Sequence, residues 1–254
     1  MATLIHPTAV VEPGAELGVD CEIMPYAIVT KHSVLGDGIV VHPFSVIGGD
    51  PQYLQFDRDL KTGVKIGSGS VIREHVTVNR SIHEGQSTIV GEKCFLMATS
   101  HVGHDCVVGD HVVLANAALL AGHVSVGVHT FMGGGSAVHQ FCRIGESVIV
   151  AGHASITRDV PPYVMVAERD DVIALNNVGL RRRGFSREVL KELKSAYQGV
   201  FITTGNIRTL ASELLLASKE LSAEARHFLG FFAEGTRGFV RMRNKRESGE
   251  NSDS

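Results

Sequence analysis

The chain contains no tryptophan, and tyrosine and phenylalanine make up only 6% of its 254 residues. A mixed globular domain of this length usually fills its core with more large rings, so a thick conventional core is not expected. Only four cysteines occur, Cys21, Cys94, Cys106 and Cys142, with no CxxC pair among them. That argues against a disulfide scaffold and a zinc ribbon. No stretch long enough to cross a bilayer is free of charges and glycines, so no membrane span is expected. The first residues, MATLIHPTAVVEPG, lack the basic start and apolar block of a secretory signal, which makes a cytoplasmic location the expectation. A formal charge of −3 argues against general binding to nucleic-acid phosphates.

What the chain does have is glycine, valine, 13 histidines and a period of six. Ile5, Val11, Leu17, Ile23, Val29, Leu35, Val41 and Ile47 form one aliphatic register; Ile66, Ile72 and Val78 form a second. A third runs from Val90 through Leu96, Val102 and Val108 to Ile156 without a miss, and four residues after each member stands a small or β-branched residue. Two inward positions per six residues suit a parallel β-helix, with three hexads closing one triangular coil of 18 residues. The cysteines fall on the small inward position and read as buried, reduced space-fillers. Two insertions interrupt the ladder, near 49–65 and 80–89, and such loops in a regular solenoid are functional candidates. The repeat is expected to end at Pro161-Pro162, so the coil covers 1–162 and a connecting segment 163–185. An α-helical domain over 186–240 follows, opened by a Ser186 cap with Val189, Leu190, Leu193, Tyr197 and Val200 on one stripe. The polar residues 241–254 are expected to be disordered.

The 18-residue coil stacks distant residues. His104, Gly122 and Gln140 fall in one column, Asp105 and His123 in the next, Gly103, Ala121 and His139 on the other side, and Asn116, Gly134 and Gly152 in another. A near-neutral histidine can take a proton from a hydroxyl. A carboxylate beside it fixes its tautomer, and a backbone N–H can hold an oxyanion. His104 is the candidate base, Asp105 its partner directly or through water, and Gly122 the oxyanion donor. No serine or cysteine sits in a nucleophile setting, which favours direct acyl transfer. Two alternatives stand beside this reading: the histidines are solvated corners, or His101, His104 and His123 bind zinc as in gamma carbonic anhydrases.

The segments HVGHDC, LAGHVSV, AVHQFC, DVPPYVMV and LRRRGFS resemble those of the UDP-N-acetylglucosamine O-acyltransferases, hexapeptide-repeat transferases of lipid A biosynthesis. The resemblance runs from IHPTAVV to TRGFV. It implies a mainly β fold, a left-handed parallel β-helix followed by a C-terminal α-helical domain. It also implies a homotrimer with active sites between subunits. Such an enzyme moves an R-3-hydroxyacyl chain from acyl carrier protein to the glucosamine 3-hydroxyl of the sugar nucleotide. It has no cofactor or metal of its own, because the donor carries the phosphopantetheine. By motif, His104, Asp105 and Gly122 match the catalytic set. His101, His123, His139, Gln140, Asn176, Arg182, Arg183 and Tyr53 match substrate contacts, and Gly134 and Gly152 the acyl channel. The basic run Arg181–Arg183, with Arg187, Lys191 and Lys194, suits an acidic carrier protein. Tyr53 and Gln55 stand where the family has an acidic residue and a lysine, and Val178 where it has glutamate. These departures leave open a related amino sugar as acceptor, giving an amide, or a sugar-nucleotide-binding homologue without activity.

Overall fold

The computed structural model describes residues 2–217 and 220–242. Among these, the six-residue period becomes a three-sided prism of short parallel strands, in sheets of eleven, eight and seven strands. We call these the first, second and third sheets. The strand His101–Val102, for example, lies in the second sheet, where His101 pairs with Leu119 and Leu119 with Ala137. Partners across the regular part are 18 residues apart, the spacing that the columns assume. In the regular two-residue strands one residue points in: Val102, Leu120, Val138 and Ile156 are buried, while Leu119 on the outer face is 45% exposed. The interior is narrow and filled by aliphatics, which is why so few rings are needed. All four cysteines are free and buried. The thiols of Cys21, Cys94 and Cys106 meet the carbonyls of neighbouring turns, as Cys106 Sγ does in donating to Ala121 O at 3.1 Å. Burial pushes the Cys94 thiol up to about 11 and Cys106 to about 12, so they are inert filling rather than ligands.

Corners of the coil are tight turns that hold one residue with positive φ, Asp105 at 60° and His123 at 61° among them. The first insertion leaves the coil after Val46–Gly49 and returns at Gly63–Ile66. The second is shorter, and Ser87–Val90 re-enters directly beside Gly63–Ile66. One side chain organises the first loop from beneath. Arg80, 1% exposed, donates to Asp50 Oδ1 (3.0 Å), Leu60 O (2.8 Å) and Arg58 O (2.9 Å), and its guanidinium lies 4.7 Å from the Phe56 ring centroid. Arg80→Met is expected to lower stability by about 2–3 kcal/mol, the scale of losing hydrogen bonds made by a charged group. Chemical denaturation measures that loss.

The prolines do not end the sheet. Val164–Ala167 adds to the first sheet beside Ile149–Val150, and Asp171–Leu175 then folds back on it antiparallel. A proline pair lacks two donors but sits between strands, where the sheet does not need them. Four α-helices follow among the described residues: α1 (Asn177–Arg182), α2 (Arg187–Phe201), α3 (Ile207–Ala217) and α4 (Ala223–Gly230). Ser186 caps α2 by accepting from Val189 N, and Leu190, Leu193, Tyr197 and Val200 are buried along one stripe. Arg143 joins coil to helices. It pairs with Asp159 (2.9 Å), donates to Phe231 O and Glu234 O, and lies over the Phe231 ring. Arg241–Met242, expected within a disordered tail, instead pairs with Asp171–Val172. The rest of that tail, 243–254, lies outside the described residues.

Candidate active site

The corner between the second and third sheets carries the histidine column. His104 Nδ1 lies 2.8 Å from Asp105 Oδ2, a direct contact. The left-handed turn at Asp105 makes this possible, because it swings the carboxylate back toward its own neighbour. With Nδ1 committed to the carboxylate, the imidazole presents Nε2 to the next coil. A Cβ built on Gly122 would stand 2.5 Å from that Nε2. Glycine is therefore the residue that leaves room for the ring.

Asp105 is held from several sides. Burial would raise its carboxyl, but hydrogen bonds from His104, Ser81 and the Ile82 N–H outweigh that and hold it at about 2. It is ionised throughout the range in which an enzyme works. His123, one coil on, stacks on Phe141 with ring centroids 4.6 Å apart and meets His104 edge-on at 5.0 Å. Burial, with some contribution from neighbouring histidines, lowers the pKa of both His101 and His123. His101 projects from the second sheet and its Nδ1 meets Thr77 Oγ1 at 2.7 Å.

His101, His104 and Gly122 line a groove across the outer face of the second sheet, joined by Gln52, Asn79, Leu119 and Gln140. Tyr53 sits near its rim, its ring centroid 6.5 Å from that of His104, with its hydroxyl donating to Gln55. Gly134 and Gly152 occupy the opposite corner of the same sheet, past Ala137. A Cβ on either would meet only a carbonyl oxygen at 3.3–3.4 Å, so this corner is low and open. His139 turns toward Arg237, whose Nη2 lies 3.0 Å from His139 Nδ1.

Asn176, Arg182 and Arg183 are not brought to this groove. Asn176 is buried at the corner between the third and first sheets, where Nδ2 donates to Ser147 O and Oδ1 accepts from Gly179 N to cap α1. Arg182 ends the same helix. Arg183 lies over Phe185 beside it. Arg181, Arg187, Lys191 and Lys194 instead line a separate groove along α2.

The residues that sequence reasoning misses are the ones that hold Asp105. Ser81 and Ile82 come from the second insertion, and Thr88 Oγ1 accepts from Asp105 N at 2.8 Å. Their only sequence signal is that they stand in or beside a loop that breaks the ladder. The zinc arrangement of His101, His104 and His123 is not reproduced, since His101 faces Thr77 and His104 faces Asp105. Among the described residues, the grouping whose ligand atoms lie within 4.8 Å is His83, Asp105 and His123, in which Asp105 already accepts from three donors.

The chain is similar to known proteins over most of its length. Residues 159–240 match the model of domain 2 of UDP N-acetylglucosamine O-acyltransferase, and residues 87–122 that of the bacterial transferase hexapeptide. The acyl-[acyl-carrier-protein]–UDP-N-acetylglucosamine O-acyltransferase of Campylobacter concisus is 37% identical, over 92% of this chain and 96% of its own. That of Rhizobium johnstonii is also 37% identical, over 90% and 91%. Among solved structures, the UDP-N-acetylglucosamine acyltransferase from Campylobacter jejuni superposes with a TM-score of 0.82 at 33% identity, covering 94% of this chain and all of the other. The Arabidopsis enzyme gives 0.79 at 29% identity, with the same coverage. With these relatives matched over nearly the whole length of both chains, the chain belongs to the UDP-N-acetylglucosamine O-acyltransferase family.

Proposed function

We propose that this chain transfers an R-3-hydroxyacyl group from acyl carrier protein to the 3-hydroxyl of UDP-N-acetylglucosamine, the first step of lipid A biosynthesis. The observation that carries the reading is the direct His104–Asp105 contact, with Nε2 free above Gly122. His104 Nε2 takes the proton of the sugar hydroxyl as its oxygen attacks the thioester carbonyl carbon. Asp105 stabilises the resulting imidazolium. The Gly122 N–H, which has no acceptor among the described residues, stabilises the tetrahedral oxyanion. The carbon–sulfur bond then breaks, and the departing thiolate takes the proton from His104. The carrier's phosphopantetheine supplies the thiol, so this sequence of steps uses no resident cofactor.

The groove runs from His104 past Leu119 to Ala137, and Gly134 and Gly152 stand beyond it at the far corner of the same sheet. In this reading the sugar occupies the His104 end and the acyl chain lies toward the glycines. Arg182 and Arg183 contact the nucleotide from a neighbouring subunit, with Asn176 fixing the start of their helix, which makes a homotrimer part of the proposal. The cationic groove along α2 receives the acidic carrier protein. No helix among the described residues is long and apolar enough to cross a membrane, and the reading places the enzyme in the cytoplasm.

The test incubates the purified protein with UDP-N-acetylglucosamine, or its 3-amino analogue, and R-3-hydroxyacyl carrier proteins of graded length, read by mass spectrometry. An ester on the first acceptor is the expected product. Product only from the amino analogue would move the acceptor assignment, and product from neither would overturn the reading. Sedimentation of the same sample is expected to give the mass of three chains.

A further inference from the structure

The second insertion carries a device that the family motifs quoted above do not include. Ser81 is fully buried. Its Oγ accepts the His83 N–H at 3.0 Å, which occupies a lone pair and fixes how the hydroxyl is oriented. Its one hydrogen has His83 O within reach at 3.4 Å, but the far shorter contact is with Asp105 Oδ1. Ile82 N–H donates to the other oxygen, Oδ2, at 3.2 Å, and that oxygen also meets His104. The loop thus holds both carboxylate oxygens.

We propose that Ser81 is a positioning residue for the acyl transfer, holding Asp105 in the rotamer that orients the His104 imidazole. This rests on the function proposed above. A carboxylate on a left-handed turn has rotamers that face solvent as well as His104. The Ser81 hydroxyl selects among them. The other groups facing Asp105 are His104 on its own turn, His123 Nε2 from the next coil at 3.9 Å and His83 from the loop. None of these donates to Oδ1, so Ser81 has no substitute there.

The experiment compares wild type with Ser81→Ala and Ser81→Thr. Ser81→Ala is expected to lower kcat about tenfold, the scale of one hydrogen bond to a charged group, with the sugar KM little changed. Ser81→Thr keeps the hydroxyl and is expected to recover most of that loss. The second readout needs no substrate: the His104 imidazole is titrated by NMR. Without the Ser81 donor, Asp105 populates its solvent-facing rotamers and stabilises the imidazolium less, so the imidazole is expected to titrate at lower pH in Ser81→Ala. A merely structural role for Ser81 would lower the melting temperature and leave the His104 titration in place. That outcome, or unchanged kcat in Ser81→Ala, overturns the inference. Because the titration is read without substrate, it decides on Ser81 even if the acceptor proves to be another sugar.

Discussion

Replacing His104 by alanine is expected to lower kcat by about a thousandfold, within the range that a positioned general base supplies, while the coil stays folded. The separation is possible because His104 contributes to the fold through its backbone. Its carbonyl accepts the His123 N–H at 2.9 Å, and alanine retains that bond. Its ring lies in the groove and packs into no core. Steady-state kinetics on a variant with an unchanged melting temperature checks this; retained turnover would remove His104 from the base role. Asp105→Asn should be milder than His104→Ala if asparagine accepts from Nδ1–H, and comparable if it turns its amide toward the ring and reverses the tautomer. The pH profile of the wild type bears on the same point. The base must be neutral to accept a proton. Asp105 is held at about 2, so it stays ionised wherever the enzyme works and contributes no limb to that profile. Burial lowers the pKa of His101 and His123, keeping them neutral over more of the range.

The solenoid is legible in the sequence because its interior is repetitive. Each inward position meets the same geometry one coil later, so a preference at Val102 recurs at Leu120 and Val138. For the same reason, column arithmetic alone brings His104 to Gly122. Other features are not legible. The direct His104–Asp105 contact depends on a left-handed turn, which the period does not encode. The Arg80 anchor and the Ser81 clamp arise where insertions break the period, so stacking arithmetic no longer applies. Asn176 reads as a ligand by motif, yet one chain spends both ends of its amide on Ser147 and the α1 cap. The continuation beyond Pro161-Pro162 is hidden because a proline pair reads as a terminator, although strand Val164–Ala167 begins only after it.

Gly122→Ala is expected to lower kcat about a hundredfold, the cost of displacing a catalytic group by roughly an ångström, with little loss of stability. The new methyl would stand 2.5 Å from both Cε1 and Nε2 of His104 and 3.1 Å from Cδ2. The obstacle is the end of a side chain, so the ring can swing aside, but only by giving up its 2.8 Å bond to Asp105. Gly122 is not among the glycines with positive φ, so alanine fits its backbone. The variant also retains the Gly122 N–H, and its loss of rate therefore reports displacement of the base and not removal of the oxyanion donor. Gly103→Ala provides the contrast. Its methyl would meet Leu120 O at 2.8 Å and the Ala121 and Gly122 backbone at 2.9 Å, atoms fixed in the coil. That clash has no side chain to yield, so the expected outcome is a lower melting temperature. Equal thermal losses in the two variants would contradict the assignment of Gly122 as the residue that makes room for the base.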